Sequence, residues 1–149
     1  PKIIIAAING SIFGVALEIM LNCDFKFFSK ESIFCMPPVK LGIFYNYYGL
    51  KNFINKIGVS NTRKIFFTGD KYSSDDAMDM EIFDFIYEQK DILKKSLEFS
   101  EKISLNAPLS LASIKKSINT FESSQSINPT AYKKIKVTIL RAAKSSDYL

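Results

Sequence analysis

The apolar positions follow two rhythms along the chain, one in the first third and another after it. Residues 2–8, KIIIAAI, are a continuous β-branched run ended by Asn9-Gly10, which predicts a short buried strand. Over residues 14–22 the period becomes helical, with Leu17, Met20 and Leu21 on one side. DFKFFS and SIFCM predict two further strands, the second stopped by Pro37-Pro38. VKLGIFYNYYG is a glycine-bounded, aromatic-rich loop leading to a helix near 46–57, closed by Gly58. A second helix is expected over 60–67 with Ser60 as its N-cap. A third starts at Ser73, with Asp76 in a capping-box position, and ends near Met80. IFDFIY predicts one more strand. From about residue 89 the chain reads as helices: one to Leu105, one from Pro108 to Phe121 and one from Pro129 to Ala143, both prolines standing at the favoured first position. ESSQSINP is a flexible connection between the last two. Strands first and helices afterwards predict an α/β protein with a helical C-terminal layer, without a regular β-α-β-α rhythm or an internal repeat.

Length and composition narrow the class. A chain of 149 residues is one domain or a piece of one, and 47% hydrophobic with 23% charged residues is the balance of a folded protein. No apolar run approaches the length of a membrane span, and there is no charged-then-apolar leader, so a cytoplasmic protein is expected, off the membrane. The chain begins with Pro1, which suggests a start within a strand or after processing, and so a fragment.

The formal net charge is +5. The lysines form short clusters, Lys94-Lys95, Lys115-Lys116 and Lys133-Lys134-Lys136, which read as solvated helix faces. Attraction to a phosphorylated ligand is the other reading. No nucleic-acid-binding signature accompanies them. Cys23 and Cys35 have no histidine to join them in a zinc site, and two buried thiols in a reducing compartment are expected. The absence of histidine also removes Ser-His-Asp and Cys-His chemistry, leaving carboxylates, tyrosine, lysine and backbone dipoles.

Three places could carry such chemistry. Gly14-Val15-Ala16 lies at a strand-to-helix junction, where the first N–H groups of a helix have no partner inside it and could hold a developing oxyanion. A glycine needed only for a tight turn gives the same pattern. Glu18, one helical turn on, could be a general acid or base, or an ordinary first-turn glutamate. GIFYNYYG sets three tyrosines and an asparagine between two glycines, suited to orienting a ligand and equally suited to a surface rim.

Taken in order and spacing, PKIIIAAINGSIFGVALEIMLNCDF, SIFCMPPVKLGIFYNYYG, FTGDKYSSDDAMDMEIFDFI and NAPLSLASIKKSI resemble the crotonase (enoyl-CoA hydratase/isomerase) superfamily over nearly the whole chain. The resemblance implies a superhelix of β-β-α turns, here a C-terminal part of it. Residues 1–88 would be core and residues 89–149 a helical assembly region cut short at its end. It implies acyl-coenzyme A thioesters as substrates and no separate cofactor, since coenzyme A belongs to the substrate. It also implies a homotrimer or a dimer of trimers. The shared chemistry would be an enolate held by two backbone N–H groups, one from Val15 and one from a segment upstream of this chain.

The sequence departs from the family's pattern in ways that bear on the reaction. The glycine-rich turn is Gly14-Val15-Ala16 instead of a run of glycines. Hydratases hold water between two glutamates; Glu18 matches the first, and the second falls at Pro38, which has no acid. Pro38, with GSIFGVALE and PPVKLGIFYN, looks most like the methylmalonyl-CoA decarboxylase branch. There a tyrosine matching Tyr45 would turn the substrate carboxylate out of the thioester plane, and no second glutamate is needed. The resemblance thus implies Val15, Tyr45 and Glu18 as catalytic residues and Gly14, Pro38, Val39 and Asn46 as substrate-binding ones. Glu81 stands where the family has a glycine ending a short helix. The alternatives are a hydratase or isomerase in which Asp70 or Asp75 approaches Glu18, and a non-catalytic acyl-CoA binder.

Overall fold

The computed structural model describes residues 2–123. The expected helix from Pro129 to Ala143 and the cluster Lys133-Lys134-Lys136 lie outside them. Six strands form two three-stranded sheets: β1 (Ile5–Ile8), β3 (Phe25–Ser29) and β6 (Phe85–Tyr87) in one, β2 (Ile12–Phe13), β4 (Phe34–Cys35) and β5 (Lys71–Tyr72) in the other. In the first sheet every neighbour is parallel, with Ile5 opposite Phe25 and Phe27 opposite Phe85. In the second, β2 and β4 are parallel and β5 closes antiparallel. The chain therefore lays one strand in each sheet before turning into a helix, and the β-β-α order expected from the resemblance is present. Periodicity did not show it, because β2 and β5 have two residues each, too few for an alternation.

Helices α1 (Val15–Leu21), α2 (Tyr47–Thr68) and α3 (Ser74–Asp79) close the core between the sheets. Leu17, Met20 and Leu21 are buried from α1, and Phe53, Ile57, Ile65 and Phe66 from α2. They meet Phe28, Phe34 and Phe83, with the rings of Phe28 and Phe83 stacked at a centroid distance of 4.1 Å. Each such ring contributes about 1.5–3 kcal/mol by leaving water. Alternation along β3 sends Phe27 to the opposite face. There α4 (Ile92–Ser104) covers it, its Phe99 ring 5.5 Å from Phe27 and 4.8 Å from Phe25. A 3₁₀ turn at Gln89–Asp91 precedes α4, and α5 (Pro108–Ser123) follows it.

Two local expectations are revised. The two helices expected over 46–67 are present as two arms of α2, and Gly58, at φ 75° and ψ 166°, breaks the helical run between them. That conformation is open to glycine and closed to most side chains. Ser60 lies inside the second arm and is no N-cap; the Thr62 hydroxyl donates to the Gly58 carbonyl at 2.7 Å instead. The aromatic loop is also more ordered than expected, since Pro38–Leu41 form a 3₁₀ turn. The capping box of α3 is present, the Ser73 N–H donating to Asp76 Oδ2 at 2.9 Å and the Asp76 N–H to Ser73 Oγ at 3.2 Å. Of the two thiols, Cys35 is buried and Cys23 only half-buried, and both are free. Among the described residues no helix is long and apolar enough to cross a membrane.

Candidate active site

Gly14 fixes the mouth of α1. Its φ of 57° and ψ of −127° mirror an extended conformation and suit glycine alone. Its N–H donates to the Cys35 carbonyl at 2.9 Å, and its carbonyl accepts the Leu17 N–H at 3.0 Å and the Glu18 N–H at 3.4 Å. Gly14 thus uses both of its polar groups to tie the helix to β4. Val15 follows as the first helical residue. Its N–H has no acceptor within the helix, and its side chain is exposed.

Three residues on, and on the same face as Val15, stands Glu18. Leu17 and Met20 hold the core side of α1, which leaves Glu18 half-buried on the flank facing α2. Its Oε2 accepts the hydroxyl of Tyr45. Residues 39–49 are placed by two anchors. Pro38, buried at the first position of its 3₁₀ turn, accepts the Ile43 N–H at 2.9 Å, and Asn46 caps α2 by accepting the Gly49 N–H on Oδ1 at 2.7 Å. Between the anchors the Tyr45 ring lies edge-on to Phe66 at 4.8 Å and to Phe53 at 6.3 Å. Burial first, and then the Glu18 carboxylate, push the Tyr45 phenol well above the usual tyrosine range. Tyr45 therefore stays a neutral donor at any ordinary pH.

The structure brings Glu18 and Tyr45 together, with Val15 one turn earlier on the same helix. Gly14 is the turn that makes this possible. Asn46 spends its side-chain carbonyl on the cap of α2. Val39 is exposed, and its Cγ1 packs against Gly69, while the adjacent Lys40 pairs with Asp70 at 2.6 Å. Asp75 lies in the first turn of α3. Among the described residues the Glu18 carboxylate is bonded to Tyr45 and to no second acid, and no group of three or more metal-ligating side chains forms. One residue of this region escaped the sequence reading. Gly49 sits in the first turn of α2, and a glycine inside a helix, being about 1 kcal/mol worse than alanine, was the available signal.

The comparisons with known proteins follow the same course. The family model described as enoyl-CoA hydratase/isomerase matches residues 1–146. Methylmalonyl-CoA decarboxylase of Escherichia coli (strain K12) is 28% identical over 99% of this chain and 57% of its own length. A short-chain-enoyl-CoA hydratase of Clostridium acetobutylicum is 29% identical over 79% of this chain and 45% of its own. The chain thus spans about half the length of the curated relatives it matches. A crystal structure of methylmalonyl-CoA decarboxylase superposes with a TM-score of 0.93 over 99% of the chain and 58% of its own, at 28% identity. With the family's model matched over residues 1–146 and the fold of its members reproduced, the chain belongs to the enoyl-CoA hydratase/isomerase family.

Proposed function

We propose that this chain carries part of the active site of an acyl-coenzyme A enzyme that decarboxylates methylmalonyl-CoA or a similar branched malonyl thioester. The observation that supports it is Glu18 bonded to Tyr45, with the buried Pro38 where a hydratase would place its second acid. Decarboxylation breaks the bond between the α-carbon and the carboxylate carbon. The electron pair moves into the thioester as an enolate, CO2 leaves, and the α-carbon then takes up a proton. The barrier falls when the enolate oxygen meets preorganised donors. The Val15 N–H is the donor in this chain, beside a second from upstream. The Tyr45 hydroxyl passes from Glu18 to the substrate carboxylate and turns it out of the thioester plane, so that the breaking bond aligns with the carbonyl π system. Gly14 and Val39 shape the mouth, with Pro38 and Asn46 fixing the loop that carries Tyr45. Coenzyme A arrives as part of the substrate, no further cofactor is required, and a trimer in the cytoplasm is the assembly this reading expects.

The test is incubation of the full-length protein with methylmalonyl-CoA. CO2 and propionyl-CoA are the expected products; no CO2 release together with clear hydration of crotonyl-CoA would sink the proposal. Hydration is the second reading, favoured by the 29% identity to the Clostridium hydratase and by Glu18 itself. It needs Asp70 or Asp75 to reach Glu18.

A further inference from the structure

Gly49 lies at the third position of α2, where alanine would favour the helix more. Its φ is not positive, so backbone conformation does not demand glycine there. Space does. A Cβ on Gly49 would stand 2.5 Å from Tyr45 Cε1, 2.9 Å from Glu18 Oε1 and 3.0 Å from Glu18 Oε2. Non-bonded carbon atoms rest at about 3.5–4.0 Å. All three nearest atoms are side-chain atoms of the bonded pair and none is backbone. Gly49 is buried and its N–H is held by Asn46, so the first turn of α2 has no room to withdraw.

We propose that Gly49 is a positioning residue, whose missing side chain provides the space in which the Tyr45 ring and the Glu18 carboxylate meet. It deepens the function proposed above and rests on Tyr45 and Glu18 being its working pair. A methyl group there would press on both partners at once. The Tyr45 ring is blocked on its other sides by Phe66 and Phe53. The ring, which the Cβ would meet at 2.5 Å, and the flexible end of Glu18 must therefore both be displaced, at a cost in packing, and the hydrogen bond is lost.

The test is Gly49→Ala, read by melting temperature and by the ionisation of Tyr45. The phenol is followed by NMR of ring-labelled tyrosine, with Tyr45→Phe assigning the signal. The expected result is a folded protein with a melting temperature below the parent's, because the overpacking outweighs the helical preference of alanine. Ionisation of Tyr45 should begin at lower pH than in the parent, since the carboxylate that helped to raise it has moved away. Turnover should fall about tenfold or more, because the hydroxyl is no longer held in place. A folded Gly49→Ala protein whose Tyr45 titrates as in the parent overturns the proposal. Should Gly49→Ala fail to fold, Gly49→Ala/Tyr45→Ala decides: recovery of folding locates the clash at the Tyr45 ring and supports it, and continued failure overturns it. The titration uses no substrate. A shifted titration without CO2 release keeps Gly49 in its role and sinks the decarboxylase, whereas CO2 release with an unshifted titration does the reverse.

Discussion

The two ends of α1 present carboxylates in unlike company. Near its start, Glu18 accepts a hydrogen bond from a neutral phenol, beside the first turn of α2. Just past its end, Asp24 accepts the Ile4 N–H at 2.7 Å and the Lys115 ammonium at 2.5 Å, and the same ammonium donates to the Lys2 carbonyl at 2.8 Å. Asp24 lines a cavity of about 710 Å³ under α5. Yet the cavity's charges are matched in pairs: Lys26 with Asp84 at 2.9 Å and Lys56 with Glu122 at 2.7 Å, besides Lys115 with Asp24. An ammonium locked to a carboxylate has little left to offer a ligand. A neutral phenol resting on a carboxylate can change partners without moving a charge of its own. The contrast teaches that the hollow under α5 is built by structural ion pairs and that the Tyr45–Glu18 site holds the exchangeable donor.

The largest effect expected on this contrast is on turnover. Tyr45→Phe should lower CO2 release about 100-fold or more while leaving the fold intact, by analogy with removing one positioned donor from an oxyanion site. Steady-state assays with methylmalonyl-CoA measure it, and unchanged kcat/KM would place the chemistry elsewhere. Lys115→Met should do the opposite, leaving turnover per folded molecule alone. Stability should drop by about 1–3 kcal/mol, because Asp24 keeps its burial and loses its cation; urea unfolding reads this.

Alkaline pH sharpens the same division. Tyr45 is an acid whose folded pKa is raised, so the native state holds its proton longer than the unfolded one. The stability it contributes is fully present below the ordinary tyrosine value of about 10 and is lost as pH rises beyond it. Tyr45→Phe should flatten the fall of melting temperature in that range. The smallest effect lies apart from both regions. Glu81 holds a left-handed φ of 54°, so Glu81→Gly should stabilise by roughly 0.5–1 kcal/mol without touching either cluster. A loss of stability in thermal unfolding would contradict that account.

The longer elements were open to reading because their signals are local. The buried run at Ile5–Ile8, the stripe of Leu17, Met20 and Leu21, and the Ser73–Asp76 box each lie within a few residues, and the structure has them where they were expected. Strands β2 and β5 were not legible, since two residues become a strand only when β4 arrives beside them. The break at Gly58 is legible as a glycine, whereas Ser60 is no cap because the second arm begins directly after Gly58.

The site divides in the same way. Sequence by itself determined that histidine chemistry is absent, that a glycine opens α1, that Glu18 lies one turn beyond it, and that Pro38 brings no acid. These are matters of residue identity and helical spacing. Only the tertiary structure decided that Tyr45, far along the chain, bonds to Glu18, that Lys40 takes Asp70, and that Gly49 leaves the space between the pair. Each of those depends on how α2 lies against α1. Packing of the whole core sets that placement, and no short window of sequence contains it.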